Sequence, residues 1–434
     1  VEGKLEKTIL IGRLVFTYFF FVSLYSYFMS VAQAFGRFFL PAVAPALFNL
    51  SLIIFAWTPS NWWSFSPMAL AWGVIAGGMA QLLPTLYEMG RLKLLPCFSL
   101  EKKKELRQII NRLFPGMIGL SGLSCIGLIN VYFAGWLEDG TNSYIYYGDR
   151  LMEFPRALLA ISLGSALVPE FTKQYSQKNL SQLKETLTYY LRFLLFLTLP
   201  FALLFLLQSE LIIKLLFGRG KFDQESVVKT ASILRIYTVV LVFSSLSRLL
   251  SSCFFAINKN WFIAGGAGLF VGFHFLCAFL LTPLYGLNGL VSATALSSVF
   301  FFLILTGFLF YLIGSFKLKS IVQLLFNIAP GLFAFALSLL LIPKLFYKLL
   351  CFSGSFLENP PSSSFCGSSL KLSNFLQPTE LSLLSSNTLL HFIVFSLSLL
   401  IGGGLYLSLS LFLKEPAGYD FLKLLRKLTK KVVK

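Results

Sequence analysis

Long apolar runs, separated by short polar or charged connections, recur from one end of this chain to the other. They lie near residues 9–33, 41–58, 67–90, 109–137, 144–169, 188–208, 231–256, 261–282, 287–313, 321–346 and 387–413. A helix rises ~1.5 Å per residue, so about 20 apolar residues cross the hydrocarbon core of a bilayer. The pattern therefore predicts an all-α polytopic membrane protein with about 11 transmembrane helices.

The same pattern repeats within the chain. At a shift of 222 residues, Lys7-Thr8 meets Lys229-Thr230, Ile11 meets Ile233, Arg13 meets Arg235 and Ser23-Leu24 meets Ser245-Leu246. The register continues without a gap through Ser30/Ser252, Ala34/Ala256, Arg37/Lys259 and Leu47-Phe48/Leu269-Phe270. The two copies are separated by six spans, an even number, so both run the same way through the membrane as parallel repeats of a six-helix lobe. The second lobe reads as complete, whereas the first shows only its last three helices. Its other three are expected upstream of Val1, and the non-methionine start at Val1 fits a fragment. Two further helices, near 321–346 and 387–413, belong to neither copy.

Composition agrees with this reading and charge orients it. Hydrophobic residues make up 56% of the 434 residues and charged residues 12%, too little polar surface to coat a soluble globule of this size. The net charge of +18 is not gathered into a patch interleaved with exposed aromatics, so nucleic acid is not an expected partner. Instead, roughly twenty Lys and Arg fall in alternate connections, among them Arg37, the 91–107 loop, the 171–187 loop, Lys259, Lys317 and Lys319, and in the tail; the opposite set holds about six. The positive-inside rule then places the first set and the C-terminus in the cytoplasm. Of the six cysteines, Cys97, Cys125, Cys253 and Cys277 lie beside or within apolar helices or on the cytoplasmic side. Cys351 and Cys366 fall in the long outward loop, where a disulfide or two free thiols are both compatible with the sequence.

One span is unlike the others. In YYGDRLMEFPRALLAISLGSALVPEF, 146–171, four charges stand within eight residues: Asp149, Arg150, Glu153 and Arg156. An ionised side chain at the bilayer centre costs about 2.5 to 3.5 kcal/mol on insertion scales unless it faces protein or water. At i, i+3 and i+4 spacings the set lines one side of about two helical turns, with Arg150 and Arg156 both within reach of Glu153. An internally neutralised network, a collar at the outer end of the helix and the wall of a polar cavity all satisfy this spacing. Pro155 removes one helix hydrogen bond and is expected to bend the helix there.

This string, with LLFGRGKFD (215–223) and FGRFFLPAVAPALFNLS (35–51), resembles the MurJ (MviN) lipid II flippases of the multidrug/oligosaccharidyl-lipid/polysaccharide exporter superfamily. The resemblance covers essentially the whole chain and matches the fourth to fourteenth of that family's fourteen helices. It implies transport of the undecaprenyl-pyrophosphate-linked peptidoglycan precursor across the bacterial inner membrane by alternating access between two lobes, without a cofactor. The protein is expected to be monomeric, with membrane lipids and the peptidoglycan synthesis machinery as its other contacts. In the family an arginine at the place of Arg150 lies in a central cavity, so the resemblance implies that Arg150 binds the pyrophosphate or neighbouring carboxylates, oriented by Asp149 and Glu153. Guanidinium suits this role because its planar fork binds phosphate oxygens in pairs and stays charged. The family's other essential arginines lie in its first two helices, which this chain lacks.

The expected organisation is a partial N-lobe (1–90), a basic cytoplasmic linker (91–107), a C-lobe (108–315), two extra helices with an outward loop at 347–386 (316–413), and a basic amphipathic tail (414–434). In the family the extra pair forms a groove for the prenyl tail, here Ala329–Ile342 and Phe392–Leu407. The 171–187 connection is expected to be a second amphipathic surface segment. Some family members bind sodium with acidic or amide groups in the second lobe; the matching helices here offer Asn130, His274, Ser292 and Thr294 but no carboxylate. Sodium, protons and the membrane potential all stay open as driving force, since His274 is either a titrating group or a core histidine. Arg37 lies in a turn where it meets the substrate headgroup or merely sets topology, and Arg13 and Arg235 are expected to snorkel. Three other classes compete: an ion-coupled small-molecule antiporter of the same superfamily, a non-transporting scaffold, and a membrane enzyme. Against the last, the two histidines, His274 and His391, both lie in apolar runs.

Overall fold

A computed structural model describes residues 2–35, 37, 39–63, 67–94, 124–315, 318–353, 388–413 and 415–423. Most of the basic 91–107 linker, the start of the span near 109, Lys317, the 354–387 loop with Cys366 and the tail from 424 lie outside them. The chain is an all-α, multi-pass membrane protein. Its helices are α1 (Glu2–Phe16), α2 (Tyr18–Ala34), α3 (Phe39–Ala56) and α4 (Pro67–Arg91), then α5 (Ser124–Ala134). There follow α6 (Thr141–Arg156), α7 (Ser162–Ser176), α8 (Leu180–Phe217), α9 (Gln224–Ala256), α10 (Asn260–Ile313), α11 (Leu318–Ser353) and α12 (Thr388–Phe412). A short helix, α13, covers 416–423.

Among the described residues, eight helices are long and apolar enough to cross a membrane, and two shorter apolar ones cover Val43–Ala56 and Ser124–Ala134. The 54-residue α10 breaks at Gly286 (φ 56, ψ −131), a left-handed φ that glycine adopts freely. With α10 counted as two, the apolar segments match the eleven runs of the sequence.

The internal repeat reappears in the ends of the elements. Glu2 and Ala34, the outer limits of α1 and α2, become Gln224 and Ala256, the limits of α9, when 222 is added. Arg91, the end of α4, becomes Ile313, the end of α10. Even the closing turn is copied: the Arg37 amide donates to the Ala32 carbonyl at 2.9 Å, and the Lys259 amide donates to the Phe254 carbonyl at 3.0 Å. The copies differ at Thr17, where α1 gives way to α2 while α9 runs on.

Two compact units divide the chain, Val1–Leu106 and Arg107–Lys434. In the first, α3 packs on α4 around Gly73 and Gly77, where an added Cβ would stand 2.9 Å from Phe55 Cβ and 2.6 Å from Phe48 Cδ2. Ser51 Oγ crosses this contact to donate to the Gly73 carbonyl at 3.0 Å. In the second, α8, α9 and α10 bury Leu191, Leu194, Leu234, Leu241, Phe254 and Leu305 as a continuous core. There α11 and α12 pack on each other and on α8: Tyr406 donates to the Phe196 carbonyl at 2.9 Å, and Gln208 Nε2 donates to the Leu339 carbonyl at 2.7 Å.

The 171–187 connection is not a separate surface helix. Residues up to Ser176 finish α7, Lys178 takes a positive φ of 55, and α8 begins at Leu180. Asn179 caps α8 by accepting the Gln182 amide at 3.1 Å, which satisfies an orphan donor of the first turn. The capped turn lets two helices meet end to end where the charge pattern suggested one lying flat. Close to this end, Glu415 is fully buried and accepts from Arg192 Nη2 at 2.5 Å and from Asn327 Nδ2 at 3.1 Å. Arg192 Nη1 also reaches Ser320 Oγ at 3.0 Å, so α8, α11 and the entry to α13 share one polar knot.

Candidate functional site

The charged span of the sequence is built as α6, five residues of π-helix at Ala157–Ile161 and α7, read together as one apolar stretch. Gly140, with φ 96, opens it, and Pro155, buried, lies just ahead of the π-turn. A missing amide at Pro155 loosens the hydrogen-bond ladder where the wider turn forms. Two glycines set the helix against α9. A Cβ on Gly148 would lie 2.8 Å from Ile233 Cγ2, and one on Gly164 2.8 Å from Ser252 Oγ.

The four charges separate into two functions. Glu153 and Arg156 are bonded to each other, with their side chains 33% and 29% exposed, on the side of α6 that meets α9. Asp149 is half-buried on the same side. Arg150 instead lies on the exposed side, its guanidinium carbon 4.9 Å from the centroid of Tyr146, one turn earlier. Of the two arginines within reach of Glu153, the structure pairs it with Arg156 and leaves Arg150 apart. Helical spacing permitted both; the 100° step puts 149, 153 and 156 on one stripe and 146 with 150 on the next. Among the described residues Arg150 makes no close ion pair or hydrogen bond with a carboxylate, although its charge acts on the adjacent Asp149, and its hydrogen-bonding fork is open to an anion.

The second predicted cluster is partly rearranged. His274 is fully buried, with Nε2 3.0 Å from Asn130 Oδ1 and Nδ1 3.2 Å from Ser297 Oγ. Ser292 and Thr294 do not complete this set; Thr294 donates to the Leu290 carbonyl at 3.4 Å. Ser297 was legible in principle, because Leu290, Ala293 and Ser297 share a helical stripe, and Leu290 and Ala293 pack beside Phe133 and Ala278. Ser297 gives its proton to the Ala293 carbonyl at 2.5 Å, so the Nδ1–H donates to Ser297. Nε2 then accepts from the Asn130 amide in neutral imidazole or donates to its oxygen in imidazolium, a choice made by turning one amide. Among the described residues no three His, Cys, Asp or Glu lie close enough to share a metal ion. Replacing His274 by leucine would leave the half-buried Asn130 amide and the buried Ser297 hydroxyl without their partner, and is expected to cost about 1–3 kcal/mol of stability. Thermal unfolding of the detergent-solubilised protein checks this, and an unchanged midpoint contradicts it.

Arg37 and Arg235 have partners that sequence reading missed. Arg37 Nε lies 3.4 Å from the buried Glu88 carboxylate, so it neutralises a charge on α4. Arg235 does not snorkel: its Nε donates to Ser209 Oγ at 2.9 Å, and its Nη2 lies 3.5 Å from Glu210. At the end of the LLFGRGKFD string, Asp223 accepts the Ser226 amide at 2.9 Å to cap α9. Hydrogen bonds from Ser226 hold its carboxyl below the usual carboxylate value.

The sequence profile described as "Lipid II flippase MurJ" matches residues 2–359. The chain belongs to the MurJ lipid II flippase family. A "Probable lipid II flippase MurJ" of Bdellovibrio bacteriovorus is 35% identical over 310 residues, 71% of this chain and 59% of that protein. The "Lipid II flippase MurJ" of Burkholderia cenocepacia is 32% identical over 249 residues, 56% of this chain and 48% of the relative. The chain thus spans about half to three-fifths of these MurJ proteins. A solved structure titled "Lipid II flippase MurJ, inward closed conformation" superposes with a TM-score of 0.62 over 90% of this chain and 72% of its own length; at 18% identity it establishes the MurJ fold alone.

Proposed function

We propose that this chain carries the C-terminal part of a flippase that moves a lipid-linked, pyrophosphate-bearing peptidoglycan precursor from the cytoplasmic to the outer leaflet of the bacterial inner membrane. The observation that carries the reading is Arg150: a permanently charged, bidentate phosphate ligand in a membrane span, left without a carboxylate while its neighbours neutralise each other. A bare guanidinium is expensive at this depth unless it faces water or an anion, and a pyrophosphate lipid supplies the anion. Asp149 and the Glu153–Arg156 pair hold the same turn polar and keep Arg150 on its own stripe. The work is transport by alternating access, not covalent chemistry, and the protein acts as a single copy. Its C-terminus is cytoplasmic by the Lys/Arg bias of the connections. A cation or the membrane potential drives the cycle.

Complementation tests the reading. A host depleted of its own lipid II flippase receives this chain joined to the N-terminal helices of a curated relative. Growth with normal cell walls is the expected result. Lysis despite normal membrane expression and folding contradicts the proposal, and export of a small cation without rescue would point to the antiporter class instead.

A further inference from the structure

Two carboxylates share a crevice where α7 meets α8, in a chain whose net charge is +18. Glu170 on α7 and Glu185 on α8 line it together with Gln174, Thr186 and Tyr189, and no described Lys or Arg does. Lys184, beside Glu185 in sequence, turns instead to the end of α10, its Nζ 3.0 Å from the point where Gly314 would place a Cβ. Helical spacing makes the arrangement: Glu170 and Gln174 are one turn apart on α7, and Glu185 and Tyr189 one turn apart on α8. The Asn179-capped turn between the helices folds the two stripes together. The crevice has a volume of about 550 Å³, within the roughly 300–1,000 Å³ of small-molecule sites.

Gln174 shows what is missing there. It is 3% exposed, and its Nε2 donates to Glu170 Oε1 at 2.7 Å and to Thr186 Oγ1 at 2.9 Å. Both acceptors line the crevice, so the amide sits among its polar groups. The other end of that amide, Oε1, is buried and has no hydrogen-bond partner among the described residues. A buried acceptor without a partner calls for a donor, and ionised carboxylates have none to give.

The donor that fits is an organic cation. Among the described residues no three His, Cys, Asp or Glu lie close enough to share a metal ion, and the crevice is far larger than a bare ion. An ammonium offers three N–H donors and a guanidinium five, so either can satisfy Gln174 Oε1 and a carboxylate at once. Tyr189, exposed, adds a ring face that attracts a cation. We propose that this crevice is a binding site for an organic cation, held through its ammonium or guanidinium group. Glu170 is twenty residues from Arg150, about 30 Å of helix, so the site is separate from the charged turn and independent of the flippase reading. Two sources supply such a group: a free polyamine, or this chain itself. Tyr189 donates to Asp420 of α13, which brings the chain to the edge of the crevice, and the sequence beyond Lys423 carries Arg426, Lys427, Lys430 and Lys431.

The test titrates spermidine into the full chain in phosphatidylcholine nanodiscs and reads the heat of binding. A second protein, with Arg426, Lys427, Lys430 and Lys431 all changed to Gln, is titrated alongside. Equal saturable binding by the two identifies a free amine as the occupant; tighter binding by the neutral-tail protein identifies the chain's own basic residues. In whichever background binds, Glu170→Gln and Glu185→Gln should each weaken spermidine about tenfold, the scale of one lost charge-assisted hydrogen bond. Glu138→Gln, before the opposite end of the α6–α7 stretch, should leave binding unchanged. Absence of saturable binding in both backgrounds, or binding that neither Glu170→Gln nor Glu185→Gln weakens, overturns the proposal.

Discussion

Arg150→Ala is expected to abolish rescue in the complementation assay while the protein still reaches the membrane. The side chain is exposed and its internal contact is the Tyr146 ring at 4.9 Å. A contact of that kind is worth about 0.5–1 kcal/mol at an exposed site, so little of the fold depends on it. On the proposed role, what would be lost is the fork suited to grip two oxygens of one phosphate. Lysine keeps the charge but presents a single point donor, so Arg150→Lys should support slow growth at best. Arg156→Ala provides the contrast: it strips Glu153 of its partner and should lower stability as well as growth. Wild-type growth from Arg150→Ala at normal membrane levels would return the charged turn to a structural role.

Glu415→Ala is expected to give the largest loss of stability. Its carboxylate is fully buried and accepts from Arg192 at 2.5 Å and Asn327 at 3.1 Å. Removing it leaves a guanidinium and an amide without their acceptor, and breaking a buried pair from one side costs about 3–5 kcal/mol. Because the knot joins α8, α11 and α13, the extra helix pair should loosen from the lobe before the lobe melts. Replacing both partners, Arg192→Met with Glu415→Leu, removes the uncompensated charge and should recover much of the loss. Unfolding midpoints of the three proteins decide this; equal midpoints for wild type and Glu415→Ala would contradict it.

The fold was largely legible because the bilayer imposes a length on every crossing, and apolar runs report that length directly. The 222-residue repeat was legible for a related reason: helix ends and their closing turns fall at polar residues, so Arg37 and Lys259 kept register where the apolar letters between them are interchangeable. The divided connection at 171–187 was misread because a charged amphipathic stretch fits both a surface helix and two helix ends, and only the Asn179 cap separates them.

Site residues were legible as a set but not as partners. A charge in an apolar span announces itself, so Asp149, Arg150, Glu153 and Arg156 were found together; which carboxylate each arginine meets depends on helical phase to within one residue. Ser297 escaped notice because one serine among many has no meaning until its neighbours are known. Alone, the sequence determined the number of spans, their parallel repeat and the family's string around Arg150, all properties of order along the chain. Tertiary structure alone decided that Arg37 is tied to Glu88 and that His274 joins Asn130 to Ser297. Those contacts span as many as 144 residues, and what fixes them is the close approach of helices, which no local pattern encodes.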